Sequence, residues 1–195
     1  LLLAALYTRW NEKDKAYEQL EMIAKKFPDD ITIKRNLLLC EQVMGKPAQA
    51  QQIVDDIKKL EGNDGWQWRY EQARIWYLSD RFKEYYPQVV TLLQKNLMNN
   101  PTDQLSRLLL AKSYEKAGEL QLAITTYREA LTRSPENIQI LTTLISSLYK
   151  IKEYDQADDL LKRIPKQSLQ DPQLQRLQLQ NYLRQGELDS ASSIL

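Results

Sequence analysis

The stretch LLLAKSYEKAGELQLAITTYREALTRSPEN, residues 108–137, decides the fold. Its small, aromatic and proline landmarks are spaced by 3, 9, 4, 3 and 5 residues. They are Ala111, Tyr114, Ala123, Tyr127, Ala130 and Pro135. Steps of three and four residues put side chains on one face of an α-helix, and the step of nine spans a turn between two helices. The stretch therefore predicts a helical hairpin, with alanines where the two axes cross closely.

The same spacing recurs along the chain of 195 residues. Successive copies begin 34, 35, 38, 34 and 34 residues apart, at Ala4, Leu38, Ala73, Ala111, Ile145 and Leu179. A fixed period of this length indicates a repeat array. We expect one repeat domain, 1–195, with units at about 1–30, 31–65, 66–103, 104–137, 138–171 and 172–195, the first and last of them truncated.

Glycine and proline punctuate these units. The tight turn between paired helices is predicted at Gly45, Gly118 and Gly186. Prolines lie between units, where they end one helix or precede the next, at Pro28, Pro101 and Pro135.

This pattern resembles the tetratricopeptide repeat, whose units run about 34 residues with small, aromatic and proline landmarks in this order. The resemblance covers essentially the whole chain, and its best unit is residues 104–137. It implies an all-α, right-handed superhelical solenoid of antiparallel helix pairs that works as a non-catalytic protein interaction scaffold. A pentatricopeptide array, the RNA-reading relative, is the alternative among helical repeats.

The sequence departs from the repeat pattern in three places. Glu41 occupies an aromatic position, so this unit is either less well packed or shifted so that Leu39 and Cys40 take the space. Pro87 falls within a predicted second helix, which is either kinked there or begins there after a longer turn; we favour the second arrangement. The chain begins inside a first helix and ends inside a second one, so we expect a fragment of a longer array.

The composition argues against an enzyme. The chain has no histidine, which removes the commonest general base and metal ligand. The single cysteine, Cys40, cannot form a thiolate metal site and is predicted to be a buried, small apolar residue. Adjacent aspartates such as Asp29 and Asp30 point in different directions on a helix, so their carboxylates do not converge on a substrate. The glycines and Asn/Asp residues of the Glu61–Gly65 loop are explained by turn chemistry. We expect no catalytic residues, no metal and no cofactor.

Binding is predicted on the inner wall of the array, which the first helices line. Eight basic and two acidic residues face this wall, although the formal net charge of the chain is only +1. The candidate peptide contacts are Arg35, Asn36, Tyr70, Arg74, Tyr77, Lys112, Lys116, Tyr149, Lys150, Arg176 and Arg184. The hypothesis is that this basic groove binds an acidic segment of a partner protein, with the tyrosines as flat packing surfaces.

Two other functional classes stay open. An RNA-binding helical array would use the same basic wall and tyrosines, and the near-neutral composition speaks against it. An accessory repeat segment of a larger enzyme would have its catalytic motifs outside this sequence. The family's carboxylate clamp for chaperone tails is matched only by Asn36, so that mode is not expected. The longest apolar run, residues 1–6, is too short for a membrane span and lacks the features of a signal peptide.

The segment 65–87 holds eight of the seventeen aromatic residues. Trp76, Phe82 and one of Tyr85 or Tyr86 fall in interior positions of the repeat and are predicted to be core. Trp66 and Trp68 are predicted to pack against the preceding hairpin. That leaves Tyr70 and Tyr77 as candidates for ligand contact within this cluster.

Overall fold

The computed structural model describes residues 1–164 and 171–194, and within these residues the regular secondary structure is helical, with no β-strand. The helices form two compact units, unit 1 (Leu1–Pro101) and unit 2 (Thr102–Leu195). Consecutive helices pack as pairs in both units. The all-α fold of antiparallel helix pairs predicted from the spacing is confirmed.

Unit 1 contains seven helices. They are α1 (Leu2–Arg9), α2 (Lys13–Lys26), α3 (Ile31–Leu37), α4 (Glu41–Met44), α5 (Pro47–Glu61), α6 (Trp66–Leu78) and α7 (Phe82–Asn99). The described part of unit 2 contains six. They are α8 (Gln104–Ala117), α9 (Leu120–Arg133), α10 (Ile138–Lys150), α11 (Tyr154–Lys162), α12 (Pro172–Gln185) and α13 (Leu188–Ser192).

Short polar side chains start the first helix of four pairs. Asp30, Asp103 and Asn137 each accept a hydrogen bond from the backbone N–H three residues on, and Asp171 does so from the two N–H groups that follow Pro172. Such caps satisfy amides that have no partner inside the helix. They fix where each first helix begins, and therefore which of its residues face its neighbours.

The turn inside each pair uses the left-handed backbone region at several repeats. Gly118 has φ +86° and Gly186 has φ +77°, as predicted. Gly45 lies in the turn between α4 and α5, as predicted, but its φ of −70° is one that other residues also adopt. The equivalent positions in two other repeats are held by Asn11 (φ +60°) and Lys152 (φ +65°), which carry a side chain in a conformation that glycine adopts without strain.

Small residues at the helix crossings are buried. These are Ala16, Ala50, Ala123, Ala157 and Ala191. In the best-matching repeat, Tyr114 and Tyr127 are buried beside Ala111, Ala123 and Ala130. Because alanine lets two backbones approach, the large side chains opposite can fill the space between the helices.

The Glu41 repeat departs from the others through a break in its first helix. Helix α3 ends at Leu37 and α4 begins only at Glu41, with Leu38 and Val43 fully buried on either side. Leu39 is 67% exposed, so the prediction that it fills the missing aromatic position is wrong. Cys40 is half-buried rather than buried, and this burial raises the pKa of its thiol.

Pro87 lies inside α7, which begins at Phe82. The favoured prediction, that the helix starts at Pro87, is wrong. Phe82 is buried against the rings of Tyr77 and Tyr86, with centroids 5.7 and 5.6 Å away, and this packing holds the first turn of the helix. Val89, one turn after Tyr85 in the same helix, is fully buried.

The aromatic cluster of unit 1 is partly core and partly surface. Trp76 and Tyr85 are half-buried and stack at 5.1 Å between centroids. Trp68 packs against the core of the preceding hairpins, as predicted, and the Lys58 Nζ lies 4.4 Å from its ring. Trp66 is 42% exposed and lies under the Arg35 guanidinium at 5.2 Å.

Candidate functional site

Three of the predicted contact residues of unit 2 line a pocket between α10 and α12. The pocket has a volume of about 490 Å³ and is lined by Tyr149 and Lys150 from α10 and by Gln173, Arg176 and Gln180 from α12. Three of the predicted site residues, Tyr149, Lys150 and Arg176, are therefore neighbours in space although up to 27 positions apart in sequence. We call the surface made by Lys112, Lys116, Tyr149, Lys150, Arg176 and Arg184 the basic face.

Arg176 is the exposed cation of the pocket. It lies on the first turns of α12, which the Asp171 cap and Pro172 at the first helical position begin. Its guanidinium makes no ion pair within the described residues. A guanidinium in this state can bind a carboxylate through two parallel hydrogen bonds.

Lys150 also lines the pocket, but it already has a carboxylate partner. Its Nζ lies 2.7 Å from Oε1 of Glu115 on α8, and the Tyr127 hydroxyl donates to Oε2 of the same carboxylate at 3.1 Å. The Lys150 side chain is nevertheless about half exposed. The ion pair therefore joins two neighbouring first helices while leaving part of the ammonium facing solvent.

Arg184 and Tyr149 converge on Asp158 of α11. The Arg184 guanidinium forms an ion pair with this buried carboxylate, and the Gln185 amide donates to it at 2.9 Å. The Tyr149 hydroxyl donates to it at 3.4 Å. Burial, and then the Asp158 charge, raises the pKa of Tyr149 to about 12. Both residues therefore link α10, α11 and α12, and Tyr149 offers little surface to a ligand.

Lys112 and Lys116 complete the basic face from α8. They lie one turn apart, and Lys112 is one turn from Glu115. Lys112 is half-buried and makes no ion pair among the described residues, whereas Lys116 is exposed. The basic face thus contains five cations, and two carboxylates, Glu115 and Asp158, neutralise part of their charge.

Two of the predicted contacts of unit 1, Arg35 and Arg74, pair with Glu71 on α6. Its carboxylate is 3% exposed and accepts from Arg35 Nε and from Arg74 Nε, each at 2.8 Å. Arg35 also donates to Gln67 Oε1 at 3.1 Å. Arg74 donates to the carbonyl of Leu38 at 3.0 Å, beside the break between α3 and α4. These guanidinium groups therefore connect α3 to α6, and Arg74 is only 14% exposed.

The remaining predicted contacts of unit 1 have local roles. Asn36 donates to the carbonyl of Thr32 one turn earlier in the same helix, at 2.8 Å. Tyr70 is half-buried with the Arg35 guanidinium 5.8 Å from its ring, and Tyr77 is half-buried with its ring edge against Phe82.

The two acidic residues of the predicted wall are Glu71 and Glu115, and their ion pairs with the cations are a finding of the structure for which the sequence carries a signal. Arg35 and Glu71 are 36 residues apart, and Glu115 and Lys150 are 35 apart, both close to one repeat period. In stacked repeats, residues one period apart on first helices are neighbours, so opposite charges at that separation predict an ion pair. Asp158 lacks this signal because it comes from a second helix.

The described residues hold neither a metal-binding cluster nor a helix suited to spanning a membrane. No group of three or more histidine, cysteine, aspartate or glutamate side chains there could hold a metal ion. No helix in the described part of the chain has the length and apolar character needed to cross a membrane.

Comparison with known proteins agrees with this architecture. Residues 115–181 match the family model of the tetratricopeptide repeat. This match, together with the relative and the solved structures described next, supports a protein of the tetratricopeptide repeat family. It is 27% identical over 116 residues to Tetratricopeptide repeat protein 8 of Caenorhabditis elegans. That match covers 59% of this chain and 22% of the relative, so it spans about a fifth of the relative's length.

Two solved structures share the fold at low sequence identity. The structure of PilW, described as a type IV pilus biogenesis factor, has a TM-score of 0.78 at 17% identity and covers 99% of this chain and 87% of its own. The tetratricopeptide repeat protein TTC0263 from Thermus thermophilus has a TM-score of 0.76 at 17% identity, with 94% and 97% covered. Tetratricopeptide repeat proteins are generally non-catalytic scaffolds for protein–protein interaction, and this chain has their fold.

Proposed function

We propose that this chain is a non-catalytic scaffold that binds an acidic segment of a partner protein on the basic face of unit 2. The observation that carries the proposal is the pocket between α10 and α12, where the exposed Arg176 lies beside the half-exposed Lys150. Two positive groups on one wall favour a ligand with more than one carboxylate, because each can bind a different anion.

The rest of the pocket suits an extended peptide. Gln173 and Gln180 carry both a donor and an acceptor, which is what the N–H and C=O groups of a peptide backbone require. Thr142 and Ser146 add hydroxyl groups on the α10 side. An ordered polar wall with a few charged groups gives specificity at modest affinity.

We place the ligand in unit 2 because the two cations predicted as contacts in unit 1, Arg35 and Arg74, both pair with Glu71. Arg35, Asn36, Tyr70, Arg74 and Tyr77 stay predictions as ligand contacts. Replacing Arg74 with glutamate would put a carboxylate beside Glu71 and leave the Leu38 carbonyl without its donor. Such a variant would test folding rather than binding.

The proposal is tested by titrating the isotopically labelled chain with hexaglutamate and with hexaglutamine at low ionic strength, followed by backbone amide resonances. We expect hexaglutamate to shift the amides around Lys150 and Arg176 and hexaglutamine to shift them weakly. The Lys150→Gln, Arg176→Gln double variant should lose most of this response. The Arg133→Gln, Lys162→Gln variant removes the same charge at exposed positions near the ends of α9 and α11 and serves as the matched control.

Three results would contradict the proposal. Equal responses to hexaglutamate and hexaglutamine, or equal losses in the two double variants, would show that the basic face has no role in acidic recognition. Tighter binding of hexauridylate than of hexaglutamate, weakening steeply with added salt, would indicate phosphate recognition and favour an RNA-binding array instead.

A further inference from the structure

We propose that Glu115 is a specificity-determining residue, an internal carboxylate that occupies Lys150 and so sets how acidic a ligand must be to bind. This inference rests on the proposed function of the basic face. It concerns a residue that contributes negative charge to that face rather than one that contacts the ligand favourably.

The position of Glu115 supports this role. Its Oε1 is 2.7 Å from the Lys150 Nζ, and its side chain is 20% exposed beside the more exposed ammonium. The Tyr127 hydroxyl holds the other oxygen at 3.1 Å, and the tyrosine ring is buried between α8 and α9. Glu115 cannot move away from Lys150 without also losing its hydrogen bond from the Tyr127 hydroxyl.

A ligand carboxylate that approaches Lys150 meets this arrangement. The ammonium has three N–H donors, so it can donate to a second carboxylate on its exposed side. That carboxylate would then lie within a few ångströms of the Glu115 charge, and like charges at such distances repel. The attraction of Lys150 for a single carboxylate is consequently small.

Ligands with several carboxylates are less affected. Arg176 lines the same pocket, faces solvent and has no ion pair among the described residues, so it supplies an attraction that Glu115 does not offset locally. A segment with one carboxylate gains little at Lys150, whereas one with several can bind Arg176 and Lys150 together. Glu115 thus discriminates between weakly and strongly acidic segments.

The test is the hexaglutamate titration repeated with Glu115→Gln. Glutamine keeps an oxygen that accepts from Tyr127, so the hydrogen bond below survives while the charge is removed. We expect the dissociation constant for hexaglutamate to fall about threefold to fivefold, the range given by removing one weak surface ion-pair interaction. A peptide with one glutamate and five glutamines should gain proportionately more.

Two controls separate local competition from net charge. Glu136→Gln makes the same change in net charge at an exposed residue that lines a different groove of unit 2, and it should leave the dissociation constant unchanged. The Lys150→Gln background should abolish the gain from Glu115→Gln, because the gain acts through the ammonium. A thermal melt shows whether Glu115→Gln is folded, and Glu115→Ala is the second variant if it is not.

The outcomes distinguish this inference from the proposed function. Binding of hexaglutamate by the wild-type chain with the same affinity in Glu115→Gln would overturn the inference and leave the proposed function standing. Equal gains from Glu115→Gln and Glu136→Gln, or a gain that persists without Lys150, would overturn it as well. Absence of hexaglutamate binding in every variant would overturn both proposals.

Discussion

Arg69 is fully buried in unit 1, and its contacts give the sharpest test of what stabilises the fold. Its Nε donates to Oδ1 of Asn96 at 2.7 Å, and its other nitrogens donate to the carbonyls of Asn63 and Asp64 at 3.3 and 3.0 Å. Asn96 in turn donates to the carbonyl of Trp66 at 3.0 Å. The guanidinium thus joins the loop before α6 to the last turns of α7.

Asn96→Ala removes the acceptor at 2.7 Å from a buried cation. A hydrogen bond to a charged group contributes about 1.5–3 kcal/mol, and the carbonyl of Trp66 also loses a donor, so the free energy of unfolding of unit 1 should fall by roughly 2–3 kcal/mol. Asn99→Ala, an exposed position in the same helix, is the matched control and should cost less than about 0.5 kcal/mol.

The assay is urea unfolding followed by tryptophan fluorescence. All four tryptophans, Trp10, Trp66, Trp68 and Trp76, lie in unit 1, so the signal reports that unit. The Arg69→Met, Asn96→Leu double variant removes the charge together with its acceptor, and it should lose less than the sum of the two single changes. A loss below about 0.5 kcal/mol for Asn96→Ala, or strict additivity in the pair, would refute the reasoning.

Two further predictions follow from the turn and from the tyrosine beside Asp158. Lys152→Gly should stabilise unit 2 by about 1 kcal/mol, because a lysine at φ +65° is strained there. Thermal melts followed by circular dichroism should show a higher melting temperature for Lys152→Gly and no increase for Lys152→Ala. The pKa of Tyr149 is raised to about 12 in the folded chain, so its contribution to stability is complete below the unfolded value near 10 and is lost as pH rises towards 12. Tyr149→Phe should therefore flatten the fall in melting temperature between these pH values, and parallel curves for the two proteins would argue against it.

The helix pairs could be predicted because their cause is local and repeated. Apolar residues spaced three and four apart lie on one face of a helix, so the spacing alone indicates a helix. A glycine in the left-handed region, such as Gly118, ends a helix through its own backbone conformation. Pro87 misled the same reasoning because a proline inside a helix is a local penalty, whereas Phe82 and its ring contacts hold the preceding turn through packing. The start of α7 is therefore set by tertiary packing, which the spacing of residues along the sequence does not reveal.

The buried Arg69 could not be predicted for a related reason. Its acceptors are two loop carbonyls and an asparagine 27 residues away, none of which marks a cation site in sequence. In the sequence, turn chemistry alone accounts for the Glu61–Gly65 loop. In the fold two of its carbonyls accept from a guanidinium, so the loop does hold a positive charge, supplied by the chain itself.

The basic face shows where counting charges along a repeat sequence stops being informative. Cations on first helices can serve two purposes: they can bind a ligand, or they can pair with an acid one repeat away, as Arg35 does with Glu71 and Lys150 with Glu115. Such pairs leave the number of basic residues unchanged while removing most of their field, so an excess of eight to two overstates the attraction for an anion. What matters is which cations lack a neighbour of opposite sign after the hairpins have stacked. In the described part of unit 2, Arg176 meets that condition inside a pocket, and a ligand should therefore depend on Arg176 more than on any of the cations that already hold a carboxylate.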